Sequence, residues 1–138
     1  MIPQTAMSDW IVVSQEQIDR FADATGDHQW LHVDPTRAAS ESPYGATVAH
    51  GFLILSLVSR LLRDAMTLDG IRMAVNYGLD HVRFPAPLTA GSRIRARFDA
   101  ASIEEKTDAT KVVWNVTVER ESVTKPCCVA QWIVLYYR

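Results

Sequence analysis

Residues 49–63, AHGFLILSLVSRLLR, constrain this chain more than any other stretch. At helical spacing Phe52, Leu53, Ile54, Leu55, Leu57, Val58, Leu61 and Leu62 occupy almost the whole circumference. A helix that is apolar all round is buried on nearly every side, so the rest of the chain must wrap it. The second half offers the wrapping. Ile94, Ala96, Phe98 and Ala100 alternate with Arg93, Arg95, Arg97 and Asp99, the period of two of a half-buried strand. Residues 104–108 and 122–126 read as polar turns, and 71–79, 112–120 and 128–137 as further strands. The last is apolar on both faces and belongs in the middle of a sheet. Pro85 and Pro87 mark a bend or an edge. The expected class is α+β, an antiparallel sheet curled around one helix.

The first half reads as helical. Ser14 and Gln17 have capping-box spacing, Ile18, Phe21, Ala22 and Thr25 share one stripe, and Gly26 supplies the stop. Asp34-Pro35 has the form of an N-cap and first helical residue for a short helix through Ala39. Residues 41–47 read as loop.

The 138 residues amount to one domain, taken as 1–138. A 48% hydrophobic content fills a core and leaves enough for a subunit interface. Trp114, Trp132, Tyr136 and Tyr137 are the aromatic residues expected at a covered sheet edge, and the expected state is a homodimer. A net charge of -2 gives nucleic acid no basic footprint, and no polybasic run points to a membrane surface. The 52–62 run contains Ser56, Ser59 and Arg60, too short and too polar for a membrane span. MIPQTAMSDW lacks the charged and then apolar pattern of a secretion signal. Cys127 and Cys128 are adjacent, so their side chains point to opposite strand faces and an ordinary disulfide is not expected. Two reduced thiols fit a cytoplasmic protein.

The segment TGDHQWLHVD, residues 25–34, gathers Asp27, His28, Gln29, His32 and Asp34 between a glycine and a proline. A carboxylate and an imidazole five residues apart on a short turn can meet at one substrate atom. Together they supply the base and the acid needed to add water across a double bond beside a carbonyl. The competing reading makes Asp27 a turn cap and His32 a packed or surface histidine. His28 and His32 also have the i, i+4 spacing of helical zinc sites. The flanking Gly and Pro disfavour a helix there, and no Glu follows the first His, so no metal is expected. Gly51, at the start of the apolar helix, leaves free N–H groups open to a developing oxyanion; alternatively it permits close helix–strand packing. Ser56 either bonds to its own i−4 carbonyl or orients a carboxylate.

At these segments the chain resembles the MaoC-like hydratases, which include the R-specific enoyl-CoA hydratases. Their pattern FxxxTGDxNPxHxD, followed by HGxxxxS, stands here as FADATGDHQWLHVD from Phe21 and HGFLILS from His50. NYGLDHVRFPAPLTAG, Asn76 to Gly91, is similar to the strand pair after the family's central helix. The resemblance covers residues 14–100. It implies a hot-dog fold with its site at a dimer interface, and Asp27 and His32 as the catalytic pair. It further implies Ser56 as the residue orienting Asp27 and the Gly51 amide as oxyanion donor. Trp30 and His50 would face substrate. The substrate would be a thioester of CoA or acyl carrier protein, with no cofactor. Where the family has Asn-Pro this chain has Gln29-Trp30; Gln29 retains an amide at longer reach, and Trp30 offers a pocket wall. The DHQW form is similar to the nodulation-protein-N-like branch. The implied activity is (3R)-specific hydration of trans-2-enoyl thioesters. Two alternatives share the fold. One is an acyl-CoA thioesterase, which usually carries an acidic residue on the central helix, and none lies between Ala49 and Arg63. The other is a non-catalytic acyl-thioester-binding subunit.

Overall fold

The structure is a computed structural model describing residues 2–138. Two short strands open it, β1 (Thr5–Met7) and β2 (Ile11–Val12). Three helices follow, α1 (Gln15–Thr25), α2 (Trp30–Val33) and α3 (Pro35–Glu41), then the long α4 (Gly51–Ala65). Four strands complete the chain: β3 (Met73–Arg83), β4 (Arg93–Glu105), β5 (Ala109–Arg120) and β6 (Cys128–Tyr137). All pair antiparallel in one sheet ordered β1-β4-β5-β6-β3, with β2 also on β4. The α+β class expected from the residue pattern is the observed one. The two opening strands were not legible, because three and two residues are too few to display a period.

The helix boundaries follow local chemistry. The Ser14 hydroxyl accepts from the Gln17 N–H at 3.1 Å and starts α1. Gly26 ends it in the left-handed region at φ 82°, with its N–H on the Ala22 carbonyl. Asp34 caps α3 by accepting from the Arg37 N–H, with Pro35 first in the helix. The stretch read as an irregular turn contains one helical turn of its own, α2.

Leu53, Ile54, Leu57, Val58, Leu61 and Leu62 of α4 are buried. They pack in one cluster with Ile94, Ala96, Phe98, Val112, Trp114, Val116, Val118, Trp132 and Val134 of the sheet. Each such side chain removed from water stabilises the fold by ~1.5–3 kcal/mol, so this layer is the main cohesive element. The alternation read in β4 is the observed one: Ile94, Ala96 and Phe98 are fully buried. Strand β6, placed centrally by its composition, lies between β5 and β3. Between β5 and β6 the Trp114 indole donates to the Tyr136 hydroxyl at 3.0 Å, satisfying two buried polar groups at once. Cys127 and Cys128 are free and buried, and burial pushes their thiols up to about 12 and about 11.

Two expectations are not met. Helix α4 is not covered all round by its own chain: Phe52 is 72% exposed, and Ser56, Ser59 and Arg60 also face out. The neighbouring β3 is an edge strand with Met73, Val75, Tyr77 and Leu79 exposed along it. Trp114, Trp132 and Tyr136, read as edge aromatics, are interior instead. The apolar surface left uncovered is therefore the open side of α4 with β3. Among the described residues no helix is long and apolar enough to cross a membrane.

Candidate active site

The turn after α1 is stitched to the segment entering α4. The Val48 N–H donates to the Leu31 carbonyl at 3.1 Å, and the Ala49 N–H to Leu88 at 2.8 Å. Gln15, on the first turn of α1, donates through Nε2 to the His32 carbonyl at 2.7 Å and accepts from the buried Thr47 hydroxyl. Gln15 and Thr47 were not singled out in the sequence. Nothing in their spacing, 32 residues apart, carries a signal.

These ties bring Asp27, His32 and His50 together. One side-chain donor-type atom from each lies within 4.8 Å of the other two. Asp27 is exposed, His32 half-buried and His50 buried. The His32 Nδ1 lies 2.7 Å from the Val48 carbonyl. A carbonyl only accepts, so Nδ1 carries the proton and the neutral ring presents a bare Nε2. The Asp27 carboxylate accepts a long bond from the Gln29 N–H at 3.4 Å, so its oxygens remain mostly free. Asp27 thus caps its own turn, weakly, and also lies close to His32.

His50 is 3% exposed and stands beneath the site. Its ring stacks on His32 with centroids 3.9 Å apart and 23° between planes, and meets the Phe21 ring at 4.9 Å with the planes tilted by 57°. Its Nε2 donates to the Asp27 carbonyl at 3.0 Å, and its buried Nδ1 has no partner. It thus braces both candidate groups, and at 3% exposure its contacts with them replace an open ligand-facing surface. The same stacking makes the cluster a poor metal centre. Imidazole lone pairs lie in the ring plane, and two nearly parallel rings do not aim them at one point. His28 lies outside the cluster, 3.8 Å from Asp23 on the surface.

Gly51 is the first residue of α4, capped by His50 without a side-chain bond. Leu53 and Ile54 N–H groups both donate to the His50 carbonyl. Among the described residues the Gly51 and Phe52 N–H groups have no acceptor, which leaves two donors at the positive end of a fifteen-residue helix. A Cβ on Gly51 would lie 3.0–3.1 Å from the Phe84 ring, so close packing is a second reason for glycine here. The Ser56 hydroxyl donates to its i−4 carbonyl, Phe52, at 2.7 Å, and no hydrogen bond joins it to Asp27 within the chain. Gln29 is exposed, and Trp30 is half-buried with the Arg37 guanidinium 4.4 Å over its ring.

A family model, the MaoC like domain, matches residues 3–122, and the chain belongs to that family. Its sequence is 48% identical over 134 residues to the 3-hydroxyacyl-thioester dehydratase Z of Mycobacterium tuberculosis, covering 96% of this chain and 88% of that one. It is 47% identical over 135 residues to Nodulation protein N of Rhizobium leguminosarum bv. viciae, covering 93% and 81%. Among solved structures, an R-hydratase of Pseudomonas aeruginosa superposes with a TM-score of 0.81 at 19% identity, covering 100% of this chain and 83% of that one. The fold is the hot dog, as the resemblance implied.

The bracing role of His50 is testable by stability. His50→Phe keeps the stacked ring, loses one hydrogen bond and removes the orphaned nitrogen, so it should change unfolding free energy by only about 1 kcal/mol. His50→Ala opens a cavity under His32 and should cost ~2–4 kcal/mol in urea denaturation. Equal costs for the two would show that the hydrogen bond, not the ring, does the bracing.

Proposed function

We propose that this protein adds water reversibly to trans-2-enoyl thioesters, giving (3R)-3-hydroxyacyl thioesters of CoA or acyl carrier protein. The observation that carries this reading is the convergence of Asp27 and His32, with Nδ1 of His32 held by the Val48 carbonyl. The relatives support it: one is itself a 3-hydroxyacyl-thioester dehydratase.

Fixing the proton on Nδ1 makes Nε2 of His32 the proton acceptor. Water held between Nε2 and the Asp27 carboxylate loses a proton to His32 as its oxygen bonds to C3 of the enoyl group. The pi electrons move toward C2 and the thioester oxygen, and the Gly51 N–H receives the resulting negative charge. The imidazolium then returns its proton to C2, and the Asp27 carboxylate stabilises that imidazolium in between. Oxygen and hydrogen arrive from one side because both groups sit on one turn. The face that makes the product 3R rests on the family resemblance. The step requires no metal and no organic cofactor. The proposed catalyst is a single hot-dog domain, residues 1–138, acting in the cytoplasm. Asp27→Asn and His32→Ala should each lower turnover of crotonyl-CoA ~10²- to 10⁴-fold with unchanged circular dichroism. The double variant should be little worse than either single one, since the pair acts as a unit. Full turnover by either single variant would remove the pair from the mechanism.

The working unit is proposed to be a homodimer. Strand β3 has an unpaired edge eleven residues long, beside exposed Phe52, Tyr77 and Leu79. A second copy would pair that edge, cover the open side of α4 and place Ser56 at the shared boundary. Light scattering at micromolar concentration should return twice the chain mass, and Tyr77→Lys should shift it toward the monomer. A wild-type monomer would contradict the shared boundary.

A further inference from the structure

His32 is tied at two points, and both ties belong to one closed circuit of hydrogen bonds. Its ring Nδ1 donates to the Val48 carbonyl at 2.7 Å. Its main-chain carbonyl accepts from Gln15 Nε2, also at 2.7 Å. The Gln15 side-chain oxygen accepts in turn from the hydroxyl of Thr47, the residue before Val48. From the His32 ring the circuit therefore runs through Val48, Thr47 and Gln15 and returns to His32 at its carbonyl. Thr47 is 3% exposed, so water does not readily replace a partner lost there.

Asp19, one turn further along α1, sets the way the Gln15 amide faces. The Asp19 carboxylate and the His32 carbonyl only accept, so both hydrogens of Nε2 are used, on Asp19 at 2.9 Å and on His32. The amide oxygen is left for Thr47, whose hydroxyl is then the donor. Thr47 is fixed by its own carbonyl, which accepts from the Ala90 N–H at 3.0 Å. A satisfied polar network of this kind holds its members in one geometry. Gln15 and Asp19 lie on α1 and Thr47 precedes α4, so neither the open side of α4 nor β3, the surface a second copy would cover, contributes to it.

Which imidazole nitrogen carries the proton is set by the hydrogen bond that the ring makes. An imidazole free in water carries it mostly on Nε2, the nitrogen that the hydration step needs bare. The Nδ1–H tautomer thus depends on where the Val48 carbonyl lies relative to the His32 ring, and the circuit fixes that separation from behind. We propose that Gln15 and Thr47 are positioning residues that keep the proton of His32 on Nδ1. They contact no reacting atom and act only through His32. This inference rests on the hydratase reading and adds two residues to its machinery.

The test reads the tautomer directly, by nitrogen-15 NMR of histidine-labelled protein in alkaline buffer, where imidazole is neutral. The His32 signals are assigned by their absence from His32→Ala. The wild type should show a protonated Nδ1 and a bare Nε2. Gln15→Met and Thr47→Val, close in size to the residues they replace, should each move the signals toward the Nε2–H form. In the same variants kcat for crotonyl-CoA should fall roughly 10- to 100-fold with KM little changed, the scale of a misplaced reacting group. The double variant should be little worse than either single one, because each opens the same circuit. Thr47→Ser, which keeps the hydroxyl, should restore both the wild-type tautomer and the wild-type kcat. If Thr47→Val does not fold, Gln15→Met, on the half-buried first turn of α1, carries the test. A wild-type His32 protonated on Nε2 overturns the inference. So do folded variants that keep the wild-type tautomer, whether or not their turnover falls. A wild type that does not hydrate crotonyl-CoA overturns the hydratase reading instead, and the tautomer still decides the role of Gln15 and Thr47.

Discussion

Everything in this molecule is positioned by one layer of contact, the apolar face of α4 against the concave side of the sheet. Leu61 is fully buried there, and Trp114, Phe98, Val112 and Val118 meet it from the strands with no exposed surface of their own. With that face seated, the N-terminal end of α4 is fixed in direction, and its two unaccepted N–H groups acquire a defined target. In the proposed reaction these N–H groups are the electrostatic end point, with no charged side chain dedicated to it.

The second determinant is the seam between residues 27–32 and 47–50. A single carbonyl, Val48, fixes the tautomer of His32, and the buried ring of His50 sets the plane on which it lies. Gln15 and Thr47 hold the same seam from behind. An exposed carboxylate and a half-buried imidazole are ordinary groups in themselves. What sets them apart is that they are held within reach of one another beside the start of α4, and the proposed reaction would draw much of its rate from that positioning.

The sequence was informative where a physical period or a short-range rule applied. The alternation of Ile94, Ala96 and Phe98, the Ser14 cap and the Gly26 stop all survive in the structure because each is decided within a few residues. The turn bearing Asp27 and His32 was legible from composition and from the motif. Contacts set by the tertiary fold were not. The bond from Gln15 to His32 spans 17 residues, and the stacking of His50 on His32 depends on a chain reversal that no local pattern records. The circumferential hydrophobicity of α4 was read correctly as a demand for covering, but its own chain meets only part of that demand. Phe52 stays open for the same reason it is apolar, if a second copy lies against it.

The stereochemistry of the product is the most direct test of the proposed roles of Asp27 and His32. Wild-type protein should hydrate crotonyl-CoA, measured as loss of the conjugated enoyl absorbance. The product should then be oxidised by a dehydrogenase specific for the 3R isomer and left untouched by one specific for 3S. Rapid oxidation by the 3S-specific enzyme, or no loss of enoyl absorbance at all, would contradict the account.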